Sequence, residues 1–82
     1  MELKDTVDLM TSDDYVERFK AEYFQTKIRY DKLHKMIIKK AAGTLDFEPR
    51  TSTLLLNEQK RYMGEYLRVL ETRAEIEGIV LE

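Results

Sequence analysis

The chain has 82 residues, 43% of them hydrophobic and 37% charged, and a net charge of −2. That is enough for one small domain and too apolar for a disordered chain. With no cysteine and a single histidine, His34, disulfides and thiolate or multi-histidine metal sites within one chain are excluded.

In residues 1–10, Leu3, Val7 and Met10 stand at i, i+4 and i+7, the spacing of a short helix or a docked arm. Met1-Glu2-Leu3-Lys4-Asp5 lacks the basic-then-apolar layout of a secretion signal. No apolar run approaches the roughly eighteen residues of a membrane span. A cytoplasmic location, away from membranes, is the expectation.

Thr11 followed by Asp14 reads as a capping-box variant, with Met10 and Tyr15 placed as a hydrophobic staple. Asp13 and Asp14 complement the positive end of a helix dipole. A long helix is therefore predicted over 12–42. Within it Val16, Phe19, Tyr23, Thr26, Tyr30, Leu33 and Ile37 recur in alternating steps of three and four, a seam of coiled-coil type. Gly43 is a natural left-handed terminator, and Lys39 and Lys40 sit in the last turn, where cations are favoured.

Residues 43–52 are a connector, since Pro49 cannot sit inside a helix and biases Glu48 to an extended shape. Leu45 and Phe47 alternate with polar residues and are expected to plug the open end of a helical pair. Thr51, Ser52 and Thr53 compete to cap a second helix over 53–77. Its stripe of Leu56, Met63, Leu67, Leu70 and Ala74 has Leu55, Tyr62, Tyr66, Val69 and Ile76 beside it. Gly64 in mid-helix costs about 1 kcal/mol against alanine, which points to close approach of another backbone. Gly78 ends the helix. Ile79-Val80-Leu81 then either folds back on the bundle or is offered to a partner.

The fold class is all-α: one domain over 1–82, a long antiparallel helical hairpin. Two adjacent apolar stripes are more than one partner helix covers, and exposed apolar surface of that extent marks an interface. A homo-oligomer, at least a dimer, closing into a helix bundle is expected. The interface residues are Val16, Phe19, Tyr23, Tyr30, Leu33, Ile37, Met63, Gly64, Tyr66, Leu67 and Leu70.

The net charge hides a segregation. Residues 1–26 carry net −4, residues 27–40 net +5 and residues 41–82 net −3. General nucleic-acid binding does not fit this balance. The basic stretch has two readings. It is either a solvated helix exterior or an anion site at the connector end. In the second reading Arg29, Lys32, Lys35, Lys39 and Arg50 supply charge, and free N–H groups after Thr51 and Ser52 cradle a phosphate. Tyr30 or Tyr62 would then stack on a base. Catalysis is not expected: His34 has no nucleophile at activating spacing, and no phosphate loop or metal-ligand pattern occurs. No cofactor is expected either.

Several segments resemble a family of short helical accessory proteins encoded by tailed phages and prophages of gut and other low-GC bacteria. They are Met10-Thr11-Ser12-Asp13-Asp14-Tyr15, Arg18-Phe19-Lys20-Ala21-Glu22-Tyr23, Lys27-Ile28-Arg29-Tyr30-Asp31-Lys32-Leu33, Gly43-Thr44-Leu45, Met63-Gly64-Glu65-Tyr66-Leu67 and Arg73-Ala74-Glu75-Ile76-Glu77. Where members often carry a Cys-Pro pair, this chain has Thr51-Ser52, and Lys39-Lys40 is also atypical. The resemblance implies a phage accessory role without catalysis, directed at counter-defence or host modulation. One form of that role sequesters a small anionic, nucleotide-type signal in a helical oligomer. A second inhibits a host defence protein through helix-face contacts. A structural or assembly role in the virion is a separate alternative, against which stand the short length, the overall acidity and the lack of repeats.

Overall fold

Two long helices dominate the computed structural model, which describes all of residues 1–82. A 3-10 turn at Leu3–Thr6 leads into α1 (Val7–Met10), followed by α2 (Tyr15–Ala42) and α3 (Thr53–Glu77). There are no strands. Cross-helix partners Tyr15 with Glu77, Tyr23 with Glu71 and Tyr30 with Gly64 fix α2 and α3 as an antiparallel hairpin. The molecule measures 43 × 24 × 18 Å. At about 1.5 Å per residue, α2 alone accounts for nearly the whole long dimension.

Both helices stop where a glycine adopts the left-handed conformation that side chains disfavour. Gly43 has φ 77° and donates its N–H to the carbonyls of Lys39 and Lys40. Gly78 has φ 71° and donates to that of Ala74. At the other ends the caps are Asp14, whose carboxylate accepts the Val16 N–H, and Ser52, whose hydroxyl accepts the Leu55 N–H.

The start of α2 differs from expectation. The helix begins at Tyr15 with Asp14 as its cap, three residues later than a Thr11 cap would give. Thr11 instead donates its hydroxyl backwards, to the carbonyls of Val7 and Asp8, so it closes α1 rather than opening α2. Met10 and Tyr15 are both exposed and form no buried staple. The N-terminal segment keeps only part of the set its spacing suggested, Leu3 being half-buried. Thr6 is 1% exposed, with its hydroxyl bonded to the Leu3 carbonyl, while Val7 and Met10 face outwards.

The core is small and lies towards one end. Phe19 and Tyr23 of α2 meet Leu67, Leu70 and Ala74 of α3, and Ile79 of the tail closes the cluster, with Leu81 packed against it. The tail thus folds back on the bundle. Six of the eleven residues expected at a subunit interface are accounted for inside the single chain. Phe19, Tyr23, Leu67 and Leu70 form this core, and Gly64 receives the Tyr30 ring. Val16 and Tyr66 are exposed, while Leu33, Ile37 and Met63 are half-buried. Towards the connector the packing thins. Leu56 is buried there, Leu45 only half-buried, and Phe47 is 55% exposed. Phe47 therefore does not plug the hairpin end, and the connector's one ion pair, Lys40–Glu48 at 3.8 Å, is a surface contact with Glu48 88% exposed that adds little stability.

Candidate anion-binding cleft

Lysines at positions 32, 35 and 39 follow the i, i+3, i+7 spacing that stacks side chains on one helix face. The chain then reverses at Gly43 and runs back alongside that face. The result is an open cleft of about 370 Å³, lined by Lys32, Lys35, Met36 and Lys39 of α2 and by Thr44, Leu45, Asp46 and Phe47 of the connector. None of the three lysines makes an ion pair within the chain, in contrast to Lys27 with Asp31 and Lys40 with Glu48. Three ammonium groups against one carboxylate, Asp46, leave the cleft cationic. Met36, Leu45 and Phe47 give it an apolar side.

That arrangement has the two elements a nucleotide-like ligand needs. Ammonium groups bind phosphate oxygens through charge-assisted hydrogen bonds. An exposed aromatic ring offers a face on which a planar base can stack.

Only part of the residue set expected from sequence comes together here. Lys32, Lys35 and Lys39 line the cleft; Arg29, Tyr30, Arg50, Thr51, Ser52 and Tyr62 do not. Tyr30 lies across α3. A Cβ added to Gly64 would stand 3.3 Å from the Tyr30 ring, whose face is flanked by the Lys27 and Lys60 ammonium groups at 5.6 and 6.0 Å. The close approach at Gly64 is thus to a side chain of the same molecule. Tyr62 is exposed on α3 with the Arg61 guanidinium 4.4 Å from its ring centre. At the head of α3 the Ser52 hydroxyl already takes one of the free N–H groups.

Phe47 is the aromatic residue that sequence spacing did not assign to a site. Its alternation with polar residues in the connector points instead to a plug of the hairpin end, which its 55% exposure overturns.

A second, larger cleft of about 480 Å³ lies at the opposite end, bounded by Tyr23, Glu71, Ala74, Glu75 and residues 78–81 of the tail. Its carboxylates disfavour an anion. There the Tyr23 hydroxyl donates to Glu71 at 2.8 Å. Burial, reinforced by that hydrogen bond, pushes its pKa up to about 12. Nearby the Tyr15 hydroxyl donates to Glu77 at 2.7 Å and accepts from Arg73 at 2.8 Å. The bond to Glu77 raises the Tyr15 pKa. These tyrosines are structural hydrogen-bond donors that stay protonated at neutral pH.

No helix of the chain is long and apolar enough to cross a membrane. A family model described as Sequestin matches residues 13–76, which is 64 of the 82 residues. The match takes in both long helices almost whole, together with every residue of the basic cleft. No curated protein and no solved structure matches the chain.

Proposed function

Because the chain belongs to the Sequestin family, we propose that it is a non-enzymatic binding protein that sequesters a small anionic ligand of nucleotide type. The family description fits a protein that holds its ligand rather than transforming it. The observation that carries the ligand class is the cleft itself: Lys32, Lys35 and Lys39, unpaired, and the exposed Phe47 line one cavity of about 370 Å³. In a host cell such a protein would deplete a signalling nucleotide, which is the counter-defence role that the likeness to phage accessory proteins implies. Cytoplasmic residence belongs to the same reading, as does self-association of the chain into a helical oligomer.

A thermal-shift series with linear and cyclic nucleotides, and with the corresponding phosphate-free nucleosides, tests the ligand class. A ligand that binds only the folded state raises the melting temperature by mass action. The nucleotides should do so and the nucleosides should not. Each lysine–phosphate hydrogen bond contributes about 1.5–3 kcal/mol, so Lys35→Ala should weaken binding about tenfold or more. Absence of any shift, together with capture of a defined host protein, would decide for the inhibitor reading.

A further inference from the structure

On α3, Leu55, Tyr62, Val69 and Ile76 are spaced by seven, with Tyr66 interleaved, and all five are exposed. At 100° per residue they fall within roughly an 80° arc. The core-facing residues Leu56, Leu67, Leu70 and Ala74 lie about a third of a turn away. The hairpin has one apolar stripe of α3 buried against α2 and a second, with true heptad spacing, turned outwards. Within a single chain nothing covers it.

The amount of uncovered surface matches a protein partner. The chain exposes 6047 Å², against about 5,200 Å² for a compact monomer of 9.8 kDa. The surplus of roughly 850 Å² is close to the 800 Å² or so that each partner contributes to a stable interface of standard size. The radius of gyration tells the same story: 14.9 Å against about 11.7 Å for a compact domain of this length.

Charge selects both the partner and its direction. The end formed by residues 1–26 and 66–82 carries net −6, and the end formed by residues 27–65 carries net +4. The hairpin is an electrical dipole along its 43 Å axis. A second copy laid antiparallel sets each acidic end over a basic one, whereas a parallel copy sets like on like.

We propose that the outer face of α3 is the seam of an antiparallel pair with a second copy of this chain, centred near Tyr66, with Leu55 of each copy near Ile76 of the other and Tyr62 near Val69. This rests on the reading that the chain self-associates, and is independent of which anion the cleft takes.

Analytical ultracentrifugation of the full chain and of Val69→Asp at micromolar concentration tests the seam. Val69 is 42% exposed in the hairpin, so the variant should keep its helical circular dichroism while its dimer dissociation constant rises at least tenfold. Raising salt from low to about 0.5 M should also weaken the dimer, because screening acts on the end-to-end charge pairing. The chain has no cysteine, so direction can be read by cross-linking. Leu55→Cys mixed with Ile76→Cys should give a disulfide-linked heterodimer under oxidation, and Leu55→Cys alone should give little. Efficient linkage of Leu55→Cys to itself would overturn the antiparallel seam while leaving self-association standing. A dimer indifferent to Val69→Asp would overturn the choice of face. A monomeric full chain would overturn both the seam and the self-association reading.

Discussion

The two ends of the hairpin are built to different rules. Where the start of α2 meets the end of α3, side chains interlock. Leu70 is fully buried, Phe19, Tyr23, Ala74 and Ile79 surround it, and the tyrosine hydroxyls at 15 and 23 are tied to carboxylates on α3. At the connector end Leu33, Met36, Ile37 and Leu45 are only half-buried, three lysines have no ion pair, and an aromatic ring stands in solvent. One end concentrates what holds the fold. The other concentrates solvated, unpaired charge and an exposed ring, features that add little to the fold and stand free to meet a ligand.

The largest expected effect falls on the packed end. Leu70→Ala should destabilise the protein by about 2–5 kcal/mol in chemical denaturation, as for a fully buried leucine. Ile37→Ala, at the half-buried connector end, should cost less than half of that. Equal losses would break the contrast.

Alkaline titration comes next. A tyrosine in an unfolded chain loses its proton near pH 10, whereas Tyr23 in the fold holds its proton to about 12. The unfolded state therefore gives up a proton that the native state keeps, and stability falls as pH rises across that window. Tyr23→Phe should flatten the fall between pH 10 and 12, while losing about 1 kcal/mol at neutral pH with the bond to Glu71. An unchanged alkaline profile would show that Tyr23 is not held as described.

Gly64→Ala sharpens the contrast midway along the hairpin. The added methyl gains about 1 kcal/mol of helix propensity, but meets the Tyr30 ring edge at 3.3 Å. The net change in stability should be within about 1 kcal/mol. Made in a Tyr30→Ala background, the same substitution should show the full gain. A double-mutant cycle measures this coupling.

The smallest effect on stability belongs to the cleft. Lys32→Gln, Lys35→Gln and Lys39→Gln combined should shift unfolding by no more than about 0.5 kcal/mol, as for exposed surface positions. The same variant should lose nucleotide binding. A large loss of stability would mean that the lysines serve the fold instead.

Much of this division could be read from the residues, for physical reasons. The long helices are written in their own chemistry: apolar residues at steps of three and four, ended by Gly43 and Gly78. Three lysines at 32, 35 and 39 share a face as a matter of helical geometry, so their convergence was legible. The start of α2 was not, because Thr11 and Asp14 are both competent caps and only the fold shows Thr11 turned back to Val7. Nor was Phe47, since the path of a connector has no period to extrapolate. The seam of α2 was legible as a stripe, but not which surface would cover it. Leu67, Leu70 and Ala74 of the same chain cover its N-terminal half, leaving the outer face of α3 as the exposed one.

Amide chemical-shift mapping by NMR, with linear and cyclic adenine nucleotides titrated into the uniformly labelled protein, tests the division of labour most directly. Shifts concentrated in residues 32–47, with residues 67–81 unmoved, are the predicted result. Nucleotide-dependent shifts centred on the Tyr23–Glu71 end, or none anywhere at millimolar ligand, would contradict the assignment of anion binding to the connector-end cleft.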